Sequence, residues 1–153
     1  MLERKVGEFF IVKNSGKEQE FLVCKGNYGC INCCAFCYTQ YGGCESLEEC
    51  TGVCQNFVRK DKQDVHFVRV IREFGLVGLI IPVAQRRALG WGNLCGYCNN
   101  DFGREISVYS PLLNDLYSIS CFKEMAKYYD VEDEEHQKKA IKQFAEFGYR
   151  QAL

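Results

Sequence analysis

Two short β-type apolar runs open the chain, Gly7-Glu8-Phe9-Phe10-Ile11-Val12 and Glu20-Phe21-Leu22-Val23. The turn-rich Asn14-Ser15-Gly16-Lys17 between them predicts a hairpin. A third strand is predicted at Val65-His66-Phe67-Val68-Arg69-Val70-Ile71, with Val65, Phe67 and Arg69 on one face and His66, Val68 and Val70 on the other. The longest apolar run, Gly75 to Ala84, is about half the roughly 20 residues a membrane-spanning helix needs, and it reads as a buried strand. Further on, Glu105 to Ser110 predicts a strand, Pro111 to Asp115 a turn and Leu116 to Ser118 a short returning strand. Phe122, Met125, Ala126 and Tyr129 then recur at helical spacing. After Asp130 as an N-cap, a second helix carries Ala140, Ile141, Phe144, Ala145 and Gly148 on one stripe.

The cysteines divide these elements. Eight of the 11 fall between Cys24 and Cys54, and Cys95, Cys98 and Cys121 follow only after a long cysteine-free stretch. The expected organisation is therefore two modules. Residues 1–73 form a three-stranded sheet with a cysteine-rich insertion and a helical turn near Ser46 to Thr51; residues 74–153 form a treble-clef-like module with two C-terminal helices. The expected fold class is α+β, built on a small three-stranded antiparallel sheet. Such a sheet buries little, so bound metal is expected to supply part of its stability.

Composition narrows the chemistry. With 47% hydrophobic and 25% charged residues, the 153-residue chain is not disordered as a whole. A net charge of −1 removes the general positive field of a non-specific nucleic-acid binder. Only the middle is basic, with eight basic and four acidic residues in 59–104. There Arg59, Lys60, Arg86 and Arg87, with Trp91, offer a patch for a macromolecular partner, protein or nucleic acid; an ordinary solvated face is the simpler reading. The first residues show no apolar secretory region, which makes the cytoplasm the expected compartment, and no membrane or small-molecule partner is expected. In that setting clustered cysteines point to metal, and an odd count disfavours a closed disulfide framework.

The clearest site is Cys95-Gly96-Tyr97-Cys98 followed by Cys121 at the start of a predicted helix. A CxxC turn brings two thiolates to one metal, and a hairpin followed by a helix returns further ligands, which is the treble-clef zinc-finger pattern. The second pair would be positions 118 and 121, and position 118 is Ser. Three accounts stay open: a degenerate site, a fourth ligand from His136 or Asp115, or a position open to water. In the denser first cluster, Cys30, Cys33, Cys34, Cys37, Cys44 and Cys54 offer ligands for at least one further zinc, in a grouping that spacing does not define. Cys30, Cys34 and Cys37 also satisfy C-x3-C-x2-C followed by an aromatic, the radical-SAM iron–sulfur spacing, but alternating strand–helix units and a glycine-rich cofactor motif do not follow. His66 reads as a strand residue and His136 as a solvated one, and the common hydrolase and nucleotide-binding signatures do not occur.

Two stretches carry a resemblance. Lys5-Val6-Gly7-Glu8-Phe9, the Cys30-x2-Cys33 loop and Arg59-x-Asp61-x3-Val65-x-Phe67 form the first; CxxC, Tyr109-Ser110-Pro111-Leu112-Leu113-Asn114 and Cys121-Phe122 form the second. Both resemble small uncharacterised cysteine-rich, treble-clef-like proteins of gut-bacterial phages and mobile elements. The resemblance implies a phage accessory protein that binds a host macromolecule. The expected function is thus that of a non-catalytic zinc-binding protein, with a nucleic-acid-binding finger and an iron–sulfur or thiol redox enzyme as alternatives.

Overall fold

The computed structural model describes residues 4–14, 16–26, 65–81, 86, 92–103, 105–129 and 134–148. Six strands build one antiparallel sheet in chain order: β1 (Phe9–Asn14), β2 (Lys17–Lys25), β3 (Val65–Glu73), β4 (Leu76–Ile81), β5 (Ser107–Ser110) and β6 (Asp115–Tyr117). Two helices follow, α1 (Ile119–Ala126) and α2 (Glu134–Phe147). This corrects the expected small three-stranded sheet. The predicted strands are present, but they join one six-stranded sheet instead of dividing between a sheet and a separate finger.

The junction explains the difference. Glu73 pairs with Leu76, leaving Phe74 and Gly75 as a two-residue turn, both with positive φ, 50° and 85°. That is the backbone of a tight hairpin whose twist matches its strands. The position read as a module boundary is thus a turn inside the sheet. β4 is buried along its whole length, as its unbroken apolar sequence demands of a strand covered on both faces. In β3 the alternation is masked for the same reason, because Val65 to Val68 are all buried.

Directly paired residues share a face, so Val108, Ile80 and Tyr117 lie on one side of the sheet and Tyr109, Leu79 and Leu116 on the other. Helix α1 packs on the first side, where Phe122 sits over Gly78 beside Val108. Helix α2 packs on the second, where Phe144 stacks on Tyr109 with ring centroids 5.2 Å apart. The stripe read from sequence holds, with Ala140, Ile141, Phe144 and Ala145 all buried. One polar residue interrupts it. The Gln137 Oε1 accepts from the Val77 backbone N–H at 3.0 Å and its Nε2 donates to the Gly75 carbonyl at 3.0 Å, so a side-chain amide serves β4 as a strand would. The expected helical turn at 46–51 and the Asp130 cap lie outside the described residues.

Candidate metal centre

Between β4 and β5 the chain forms a small hairpin with the CxxC turn at its tip. Leu94 bridges Asp101, the Cys95 N–H donates to the Asn100 carbonyl at 2.9 Å, and the Phe102 N–H donates to the Asn93 carbonyl at 2.7 Å. Reversing direction within this turn requires a left-handed residue, and Asn99 takes it with φ 63°, a conformation asparagine tolerates better than most side chains. The turn is tied to the sheet by the Gly96 N–H, which donates to the Leu116 carbonyl at 2.7 Å. A Cβ on Gly96 would meet the Asp115 carboxylate, the movable end of an exposed side chain, which would have to swing aside.

Directly after β6, Ser118 caps α1. Its Oγ accepts from the Cys121 N–H at 3.2 Å, so the hydroxyl that stands where a fourth cysteine was expected serves as the N-cap. The cap sets the first turn of α1 and places Cys121 against the CxxC turn. The ligand atoms of Cys95, Cys98 and Cys121 all lie within 4.8 Å of one another. Around a tetrahedral zinc with bonds of about 2.3 Å, sulfurs stand about 3.8 Å apart, so three thiolates need only a small inward adjustment to share one ion.

The electrostatics suit a thiolate group. Burial opposes ionisation of Cys95, yet hydrogen bonds from the backbone N–H groups of Cys98, Ser118 and Tyr97 and from the Cys98 thiol outweigh it and lower its pKa from 9.0 to about 7. The Ser118 N–H lies 3.5 Å from the Cys95 Sγ. At Cys121 a hydrogen bond with the Ser118 side chain favours the thiolate, but burial and the neighbouring Cys98 and Cys95 prevail and raise its pKa. Mutual repulsion of this kind is what a divalent cation relieves. The first turn of α1 adds the partial positive charge of a helix N-terminus next to Cys121.

Cys95 is buried, Cys121 half-buried and Cys98 exposed, so the group opens toward solvent on the Cys98 side. Among the described residues no further His, Cys, Asp or Glu joins it, which leaves both Asp115 and His136 outside the ligand set. Cys30, Cys33, Cys34, Cys37, Cys44 and Cys54 lie outside the described residues, as do Arg59, Lys60, Arg87 and Trp91.

Arg86 does not lie on the basic surface expected of it. It is fully buried, and its guanidinium donates to the Asn93 Oδ1, the Gly103 and Glu105 carbonyls and the Ser107 Oγ at 3.1 to 3.3 Å, binding the small hairpin to the start of β5. One residue that sequence reasoning passed over, Leu94, stands out instead. Leu94 and Tyr97, on the same hairpin as Cys95 and Cys98, are 53% and 55% exposed. The signal for Leu94 was an apolar residue directly before the ligand turn. No helix among the described residues is long and apolar enough to cross a membrane. No family model, curated protein or solved structure matches the chain.

Proposed function

We propose that the chain is a non-catalytic zinc-binding accessory protein, of the phage or mobile-element kind its sequence resembles, which binds a host protein in the cytoplasm. The convergence of Cys95 and Cys98 from the hairpin with Cys121 from the first turn of α1 carries this reading. An all-sulfur donor set favours a thiophilic ion, of which zinc is the one that needs no redox chemistry, and a metal held between two elements locks the hairpin onto the sheet. The hairpin then presents Leu94 and Tyr97 to solvent in a fixed orientation. Exposed apolar and aromatic side chains on a rigid support favour a protein contact. Burial of Arg86 removes one of the cations on which a nucleic-acid surface would draw.

The test is affinity capture of host protein on the immobilised full chain, zinc-loaded and chelated. The expected result is a captured protein that is released by chelator, resists nuclease and is lost in the Leu94→Ala, Tyr97→Ala double variant. Nuclease-sensitive, steeply salt-dependent binding would overturn the protein-partner reading in favour of nucleic acid. Capture indifferent to chelator and to both substitutions would overturn the role of the metal hairpin.

A further inference from the structure

Two of the three candidate ligands share one turn, and the third comes from a different element. Cys95 and Cys98 stand three residues apart in a turn closed by the Asn99 N–H, which donates to the Cys95 carbonyl at 2.9 Å. Cys121 opens α1, held there by the Ser118 cap and by its neighbour Phe122, which is fully buried against Gly78 and Val108. All three are free thiols, and of the three Cys98 alone is exposed. We propose that this centre is a redox switch, in which a small-molecule disulfide oxidises Cys95 and Cys98 to an intramolecular disulfide and so discharges the metal. The proposal rests on the reading of the triad as a metal site and adds how that site is regulated.

The exchange balances in two steps. The Cys98 sulfur, the one a reagent reaches from solvent, attacks one sulfur of the small disulfide, forming a mixed disulfide and expelling a thiolate. The Cys95 sulfur then attacks the Cys98 sulfur, closing the protein disulfide and expelling the second thiolate. The two protein thiolates lose two electrons, the reagent disulfide gains them, both expelled thiolates take protons from solvent, and the metal keeps its oxidation state. Thiolate, not disulfide, is the metal ligand, so the group keeps one of its three donors and the ion leaves. Geometry selects the pair. Sulfurs within 4.8 Å of one another must close to about 2.05 Å. Between Cys95 and Cys98 that movement falls on Cys98 and its exposed neighbours Gly96, Tyr97 and Asn99, whereas a bond to Cys121 would draw α1 away from the packing of Phe122 on the sheet. Loss of the ion breaks the link between the hairpin and α1, so oxidation and chelation act alike.

Tryptic cleavage after Arg87, Arg104 and Lys123 puts Cys95 and Cys98 together in peptide 88–104 and Cys121 alone in 105–123, apart from the eight cysteines between Cys24 and Cys54. The zinc-loaded full chain and Cys98→Ser are treated with oxidised glutathione, zinc is counted by native mass spectrometry, and free thiols are alkylated before digestion. The parent is expected to start with one zinc more than the variant and to lose that excess on oxidation. Peptide 88–104 is then recovered two hydrogens lighter with neither cysteine alkylated, and dithiothreitol with zinc restores both the thiols and the ion. Equal zinc counts before oxidation would show that the triad holds no metal, which ends the underlying reading and the switch together. Where the excess zinc is present, a peptide 88–104 that stays alkylated at both cysteines, ends with glutathione on Cys98, or is joined to 105–123 or to another segment would overturn the switch and leave the metal site standing. A closed Cys95–Cys98 disulfide with the excess zinc retained would do the same.

Discussion

Replacing Gly78 by alanine tests how the sheet positions the metal centre. A Cβ at this position would lie 2.5 Å from the Val108 Cγ1 and 2.8 Å from the Phe122 Cζ, against an ordinary carbon–carbon contact of about 3.5–4.0 Å. Two fully buried neighbours must therefore each retreat by about 1 Å, or α1 must lift from the sheet. Overpacking of this sort costs about 1–3 kcal/mol, while exchanging glycine for alanine in a strand otherwise gains about 0.5–1 kcal/mol. The net expectation is a loss of roughly 1–2 kcal/mol, read by urea denaturation as a lower midpoint with an unchanged slope. The perturbation also reaches the metal, because Phe122 follows Cys121 directly; metal affinity falls in the same variant. Adding Phe122→Leu removes the colliding ring edge and recovers part of the lost stability, a coupling that only neighbours show. A Gly78→Ala chain as stable as the parent, or more stable, would refute the packing of α1 on β4 and with it the account of how Cys121 reaches Cys95.

Three further outcomes follow from particular residues. Phe74 holds φ 50° in the turn between β3 and β4 while 67% exposed, so Phe74→Asn loses little burial and suits the turn better; thermal denaturation is expected to show a gain of about 0.4–1 kcal/mol, and a loss would mean that the ring has a role the turn does not explain. Gln137→Leu keeps the volume but leaves the buried Val77 N–H without its acceptor, for an expected cost of about 1–3 kcal/mol in urea denaturation; a change under about 0.3 kcal/mol would show that the amide is dispensable. Burial holds the pKa of His66 down from 6.5 to about 4, opposed by its hydrogen bond to the Gly26 carbonyl. The unfolded chain thus binds this proton more readily: stability is full above pH 6.5, falls as pH drops from 6.5 toward 4, and by then has lost on the order of 3 kcal/mol. An NMR titration of the His66 ring with its midpoint near 6.5 would contradict this burial.

Local features were legible from residues alone. Asn14 to Lys17 announced the first hairpin, Cys95, Cys98 and Cys121 announced their own convergence, and the spacing of Ala140, Ile141, Phe144 and Ala145 announced the buried stripe of α2. The continuity of the sheet was not legible, for two physical reasons. The apolar run of β4 marked a buried strand, but a strand covered on both faces carries no alternation that ties it to a particular sheet, and Phe74 is an unusual occupant of a turn that asparagine or glycine ordinarily fills. Arg86 was misplaced because its principal acceptors are the backbone carbonyls of Gly103 and Glu105, which carry no sequence signal. Gln137 left a faint one, a lone amide on an otherwise apolar stripe. Ser118 was read as a missing ligand when its position before α1 equally marked it as a cap.

The central claim is that Cys95, Cys98 and Cys121 hold one metal ion. Native mass spectrometry counts the zinc bound to the full chain and to Cys98→Ser, both purified without chelator and compared at the same charge states. Because the exchange alters only an exposed thiol, the fold is expected to survive and the variant to carry one zinc fewer than the parent. An unchanged count would contradict the account and reduce the three thiols to an accident of packing.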